Sequence, residues 1–260
     1  MSSTLVDCQS IATSAADVRG ERPFLTAKWR HLAMLNYEID SAVLAPYVPA
    51  GTELDRWNGV TYASMVGFLF LDTRVLGLAI PFHRNFEEVN LRFYVRHRAP
   101  EGWRRGVVFI RELVRLPAIA AIARWCYQEN YRTVRMRHRV HSSDSHAEAD
   151  YTWRLAGREH SLGVTASEPL QTLRAGTLEE FIAEHYWGYS AQRDGSTKEY
   201  RVAHPSWRVR AATTAHFDCD VAKLYGPQFA ALLTPEPQSA FLAEGSAVEL
   251  FRGRVIATAV

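Results

Sequence analysis

The most constraining feature of this chain is residues 80–124, IPFHRNFEEVNLRFYVRHRAPEGWRRGVVFIRELVRLPAIAAIAR. Val89, Leu91, Phe93 and Val95 alternate with Glu88, Asn90, Arg92, Tyr94 and Arg96, the period of two that a strand imposes on its side chains. Ala99-Pro100-Glu101-Gly102 is a turn signal. Residues 107–110 are apolar without alternation, the pattern of a strand covered on both faces. This second strand runs into Arg111-Glu112, and charges there are costly unless paired or turned to a wet cavity. Pro117 marks a helix start, where a missing N–H needs no partner. Ile119, Ile122, Ala123 and Cys126 then form a helical stripe over residues 118–131.

Glu88, Arg111 and Glu112 admit two readings: a buried structural ion-pair network, or a ligand pocket lined by three charges. If the turn at 99–102 closes a hairpin, the start of the first strand lies beside the end of the second. The pocket reading predicts Glu88 and Arg111 within reach of each other, facing a cavity with His83 at its rim. Alternation sends Arg111 and Glu112 to opposite faces, so only one joins Glu88 unless a bulge intervenes.

The flanking sequence reads as more sheet. Strand patterns cover residues 24–37, 54–57 and 60–75, the last with a bend or bulge expected at Gly67. Asp40 is placed to cap a short helix. Residues 132–141, 146–155 and 160–167 form a meander, and Thr177 with Glu180 forms a capping box. Strands are predicted at 187–204 around the Asp194-Gly195-Ser196 turn, at 207–217, 239–242 and 247–257, with a helix over 221–233. About a dozen strands and four helices make an α+β, mainly antiparallel domain, as a curved sheet, two packed sheets or a partly closed barrel.

Composition excludes several classes. A formal charge of +2 with interspersed signs gives no basic footprint for nucleic acid. Three widely spaced cysteines, Cys8, Cys126 and Cys219, fit a reducing cytoplasm. No signal pattern or apolar run of membrane length is present. Residues 1–22 read as a flexible N-terminal arm and 23–260 as a single domain, without linker or repeat. No P-loop, GxGxxG, HExxH or CxxC pattern calls for a cofactor or metal. His216, Asp218 and Asp220 (HFDCD) offer metal-ligand atoms, but Asp218 or Asp220 is better read as a helix cap. His138, His141 and His146 are poorly aimed along a strand for one metal.

The segments LAMLNYEID, VPAGTELD, VGFLFLDTRVLG, IPFHRNFEEVNLRFYVR, RRGVVFIREL, EHYWGY, EYRVAHPSW, LYGPQFA and SAFLAEGS resemble the YqjF-like family of bacterial proteins, a domain of unknown function. That family resembles acetoacetate decarboxylase, which implies a curved, cone-like antiparallel sheet with about four flanking helices. Phe86-Glu87-Glu88-Val89 is similar to the decarboxylase segment carrying its pocket glutamate, and Arg111-Glu112 before Leu116-Pro117 is similar to its Arg-Glu pair. After the proline, the decarboxylase pattern has two lysines, one forming a Schiff base and one lowering its pKa. This chain has Ala118 and Ile119 there, and its only lysines are Lys28, Lys198 and Lys223. The amine chemistry therefore has no nucleophile. The expected function is that of a binder of a small polar or anionic metabolite through Glu88, Arg111, Glu112 and His83. The alternative is an enzyme of altered chemistry acting on a carbonyl- or carboxylate-bearing metabolite, with Glu88 or Glu112 as the base, Arg111 the anion clamp and His83 an acid.

Overall fold

The computed structural model describes residues 21–116 and 130–258. The N-terminal arm up to residue 20, all but the end of the helix over 118–131, and the Ala118-Ile119 positions lie outside the described residues. Tyr131, at that end, is in a strand.

The chain opens with β1 (Leu25–Glu38). Helix α1 (Ser41–Leu44), capped by Asp40, a 3-10 turn (Ala45–Tyr47) and β2 (Glu53–Leu54) lead into β3 (Tyr62–Val75), β4 (Phe86–Ala99) and β5 (Gly102–Val114). Then come β6 (Tyr131–Thr133), β7 (Arg135–Ser142), β8 (Ala147–Leu155), β9 (Arg158–Ala166) and β10 (Gln171–Thr172). Helix α2 (Leu178–Ala183) precedes β11 (Trp187–Ala191), β12 (Ser196–Ala203), β13 (Arg208–Ala211) and β14 (Thr214–Asp218). Helices α3 (Val221–Leu224) and α4 (Pro227–Ala230), then β15 (Ser239–Leu250) and β16 (Arg254–Thr258), complete the described chain. Among the described residues, no helix is long and apolar enough to cross a membrane.

Twelve strands form one sheet, in the order β10-β13-β15-β1-β3-β4-β5-β11-β12-β16, with β2 on β4 and β6 on β5. A further pairing, Val202 with Leu250 and Ala203 with Glu249, joins β12 back to β15. The path β15-β1-β3-β4-β5-β11-β12 therefore closes on itself as a barrel. Both seams are short: the parallel β5–β11 contact and the β12–β15 contact each pair two residues. The meander β7-β8-β9 is joined by β14 into a separate four-stranded sheet.

That second sheet covers one outer face of the barrel. Tyr151, Trp153, Leu162 and Val164 from it share an apolar cluster with Ala33, Leu35, Met65, Leu91 and Phe93 from the barrel. Inside the barrel is a second cluster, built on Leu32, Met34, Val66, Phe68, Phe70 and Phe241. The strands of the ring are thus buried on both sides, which accounts for the continuous burial of Tyr62–Phe70.

Four local expectations need correction. Register runs unbroken across Gly67 against β4, so this glycine does not bend β3. A Cβ there would lie 2.5 Å from Tyr151 Cδ2 and 2.7 Å from Leu162 Cδ2; the two layers approach too closely for any side chain. The irregularity sits in β1, between Arg30 and Ala33, where His31 has φ of 57°. The single strand expected over 207–217 is split, with β13 in the large sheet and β14 in the small one. The helix expected over 221–233 is interrupted at Gly226, with φ of 115°, followed by Pro227. Residues 239–250 form one strand rather than two.

Candidate functional site

The hairpin expected at the centre of the chain is present, with Ala99 opposite Gly102. Its register decides the site. On β4, Phe86, Glu88, Asn90, Arg92 and Tyr94 face the barrel interior, and Glu87, Val89, Leu91, Phe93 and Val95 face the second sheet. On β5, Val107 and Phe109 face inward. Arg92 pairs with Phe109 but Leu91 pairs with Arg111, so Ile110 is an extra residue absorbed in a bulge. A bulge reverses the parity of everything beyond it. Glu112 and Val114 therefore face inward, and Arg111 faces outward.

The barrel encloses a cavity of about 90 Å³, to which every strand of the closed ring contributes at least one residue. Phe68, Phe70, Phe86, Phe109, Trp29 and Trp207 contribute aromatic rings to its wall, and Glu88, Asn90, Arg92, Glu112, His185 and His204 supply polar groups. This is the composition of a small-molecule site: apolar walls with a few placed polar groups. Phe70 stacks on Phe86 at 4.7 Å, while Trp29 meets Phe68 edge-on at 5.5 Å. His204 stacks on Trp207 at 4.3 Å, and burial lowers its pKa.

Glu88 and Glu112 are 2% and 1% exposed. Asn90 Nδ2 donates to Glu88 Oε1 at 2.9 Å, and Tyr131 Oη donates to Oε2 at 3.4 Å. Asn90 is also the cross-strand neighbour of Glu112. Arg92 is only 8% exposed, and its Nε has no hydrogen-bond partner. Its guanidinium lies 5.8 Å from the Tyr94 ring centroid. Among the described residues it forms no ion pair. Beyond it, Ser64 links Tyr94 and Asn36 at 2.6 Å each, a polar plug inside the barrel.

The structure thus brings Glu88 and Glu112 together and separates them from the other two candidates. Arg111 lies on the opposite side of the sheet from Glu88, where Nη1 donates to the Leu224 carbonyl at the end of α3. The expected Glu88–Arg111 pair is absent because the bulge at Ile110 turns Arg111 away. His83 is half-buried on the β3–β4 loop, with Nδ1 2.8 Å from the Pro81 carbonyl oxygen, and is not among the lining residues. Asp220 caps α3, accepting from Lys223 N at 3.2 Å, and Asp218 pairs with Arg158. Among the described residues, no group of three or more His, Cys, Asp or Glu side chains is placed to hold a metal. None of the three lysines lines the cavity, and Lys28 is tied to Asp72 at 2.8 Å.

Sequence reasoning missed Asn90, Arg92 and His185. The signal for the first two was present: they stand two and four residues beyond Glu88, on its face. His185, in EHYWGY, carries no local pattern that points inward.

The model for DUF2071, an uncharacterized conserved protein family, matches residues 26–247. The uncharacterized protein YqjF of Bacillus subtilis (strain 168) is 35% identical over 75 residues, 28% of this chain and 31% of that protein. The match therefore spans under a third of that relative's length. Among solved structures, the enduracididine biosynthesis enzyme MppR complexed with pyruvate is similar with a TM-score of 0.66 at 12% identity, covering 98% of this chain and 99% of that one. Acetoacetate decarboxylase from Legionella pneumophila subsp. pneumophila str. Philadelphia 1 gives 0.62 at 13%, covering 92% and 88%. An acetoacetate decarboxylase-like enzyme from Sphingomonas wittichii RW1 gives 0.62 at 13%, covering 92% and 95%. These likenesses establish a shared fold.

Proposed function

Because the chain belongs to the DUF2071 family and has an acetoacetate decarboxylase-like fold without that fold's lysine pair, we propose that it binds a small anionic metabolite inside the barrel. The observation that carries this reading is Arg92: a buried guanidinium at an apolar cavity, its Nε without a partner. A buried cation left in that state is destabilising unless something else uses it. A ligand carboxylate is the natural complement, since it takes two parallel N–H donors from one guanidinium. The aromatic wall suits an apolar body attached to that carboxylate. The cavity has room for roughly six to nine water-sized groups.

Calorimetric titration with isocaproate, and with pyruvate as the smaller probe, tests this. Wild-type protein binds, and Arg92→Met binds roughly tenfold or more weakly. Equal binding by both proteins, or none by the wild type, overturns the reading.

A second reading is supported by the pair Glu88 and Glu112, two carboxylates in one low-dielectric cavity beside Arg92. Such groups serve as general acids and bases. On that reading Glu88 or Glu112 removes a proton beside a carbonyl while Arg92, in the role first assigned to Arg111, holds the substrate's carboxylate. Exchange of pyruvate methyl protons in deuterated buffer, lost in Glu88→Gln or Glu112→Gln, distinguishes catalysis from binding. Borohydride treatment in the presence of pyruvate leaves Lys28, Lys198 and Lys223 unmodified on either reading.

A further inference from the structure

The cavity holds a second polar group that the anion site does not use. His185 follows α2 and lines the cavity at 7% exposure, and neither ring nitrogen has a hydrogen-bond partner. The ring is nevertheless fixed. It lies 4.6 Å from the Tyr94 ring and meets Phe181 edge-on at 5.4 Å. Behind it stands Asp55, with Oδ2 3.5 Å from His185 Nε2. That separation is long for a hydrogen bond and closes with a small adjustment on binding. Arg105 holds Asp55 at 2.7 Å and also donates to the Phe181 carbonyl at 3.2 Å. One guanidinium therefore secures both the carboxylate and the helix that presents the histidine.

The charged and titratable groups facing the ring are Asp55 from the segment after β2, Arg105 from β5, and Arg92 and Tyr94 from β4. Burial first, then the charge of Arg105, pushes His185 down to about 3, against the opposing pull of Asp55. Burial alone would raise Asp55, but His185 and Arg105 outweigh it and hold its carboxyl at about 2. At neutral pH a neutral imidazole thus sits beside an ionised carboxylate. The carboxylate places the ring proton on Nε2 and leaves Nδ1 as a bare acceptor.

A bare acceptor near a guanidinium recognises a hydrogen-bond donor next to an anion. Arg92 and His185 lie 5.8 Å and 4.6 Å from the ring of Tyr94 and line the same cavity. Resting on the anion-binding reading of Arg92, we propose that His185 accepts a hydrogen bond from a hydroxyl adjacent to the ligand's carboxylate. The ligand class is then a 2-hydroxy acid with an apolar tail, the tail lying along Phe68, Phe70 and Phe109. Asp55 is a positioning residue in this scheme: it fixes the tautomer and orientation of the ring.

The test uses 2-hydroxyisocaproate, as separate enantiomers, and isocaproate, which differ only in the hydroxyl. In calorimetric titrations at neutral pH, wild-type protein binds one enantiomer of the hydroxy acid roughly tenfold more tightly than isocaproate. His185→Phe keeps an aromatic ring between Tyr94 and Phe181, still binds isocaproate, and loses the preference. Arg92→Met loses both ligands. Isocaproate binding without preference in the wild type, or a preference that survives His185→Phe, overturns the hydroxyl proposal and leaves the anion reading intact. Absence of binding by either acid overturns both. Should His185→Phe fail to fold, nitrogen-15 spectra of wild-type histidines decide: the Nδ1 resonance of His185 moves with the hydroxy acid and stays with isocaproate. Its failure to move also overturns the proposal.

Discussion

Strand β4 meets two dry environments and solves them in opposite ways. Toward the second sheet it sets Val89, Leu91, Phe93 and Val95, all without measurable exposure, against Tyr151, Trp153 and Leu162. Toward the barrel interior it sets Glu88, Asn90 and Arg92, which are also buried. Burial does not distinguish the two faces; what differs is whether the polar atoms have partners within the chain. On the outer face Glu87 is fully engaged, by Arg115 at 3.1 Å and His138 at 2.9 Å. On the inner face Arg92 Nε and Asn90 Oδ1 are not hydrogen-bonded. On this strand the unpartnered polar atoms all face the barrel; between the layers Arg111 Nε, Trp153 Nε1 and Tyr225 Oη, from other elements, are also without hydrogen-bond partners.

The sharpest way to break this contrast is Phe93→Ala. Truncating that side chain in the interlayer core lowers stability by about 3–5 kcal/mol in urea denaturation, with the affinity of the folded fraction for isocaproate unchanged. A loss below about 1 kcal/mol would move the main core elsewhere.

Next in size is the response to acid, which belongs to the barrel side. His185 titrates near 3 when folded and 6.5 when unfolded. The unfolded chain therefore takes up its proton first, so this stabilisation is whole above pH 6.5 and drains as pH falls toward 3. Asp55 adds a second decline between 3.8 and about 2. Together they amount to a few kcal/mol, on the order expected of two shifted groups. Urea midpoints measured across pH show the first decline flattened in His185→Phe and the second in Asp55→Asn. An unaltered profile in both variants would place the acid sensitivity in the interlayer region.

Smaller again is Arg92→Met, adjacent in sequence to Phe93 but opposite in effect. Replacing a buried cation that has no ion-pair partner among the described residues by a side chain of similar volume leaves stability unchanged or raises it by about 1–2 kcal/mol. A comparable loss instead would make Arg92 structural. A change of similar size but opposite sign is expected for Arg111→Met, which removes a hydrogen bond to the Leu224 carbonyl and lowers stability by about 1 kcal/mol. Isocaproate affinity does not change, and a drop in it would return Arg111 to the site.

Local chemistry was legible in the sequence. Asp40 and Thr177 cap the helices their positions announced, accepting from Ala42 N at 2.9 Å and Glu180 N at 3.3 Å. The central hairpin forms at its turn residues, and the resemblance to acetoacetate decarboxylase fits the closed, curved sheet. Closure itself was not legible, because β12 meets β15 across nearly fifty residues through one two-residue contact. Nor was the bulge: nothing about Ile110 marks it as the residue to be left over, and without it Arg111 is the inward choice. Arg92 was passed over for a different reason. Polar alternation on a strand ordinarily means solvent on that face, and here it means a cavity.

The bulge at Ile110 also bears on changes of chain length. Up to Phe109 the odd-numbered positions of β5 face inward, and past Ile110 the even-numbered ones do. Deleting Ile110 would restore plain alternation and still leave Glu112 inside. A strand of the same length that kept regular pairing would present Arg111 instead. A relative that lacks this residue and a full-length relative that pairs regularly would therefore differ in the sign of the charge their barrels enclose. At this position a deletion is the conservative change, and a faithful substitution-by-substitution match can hide a reversal.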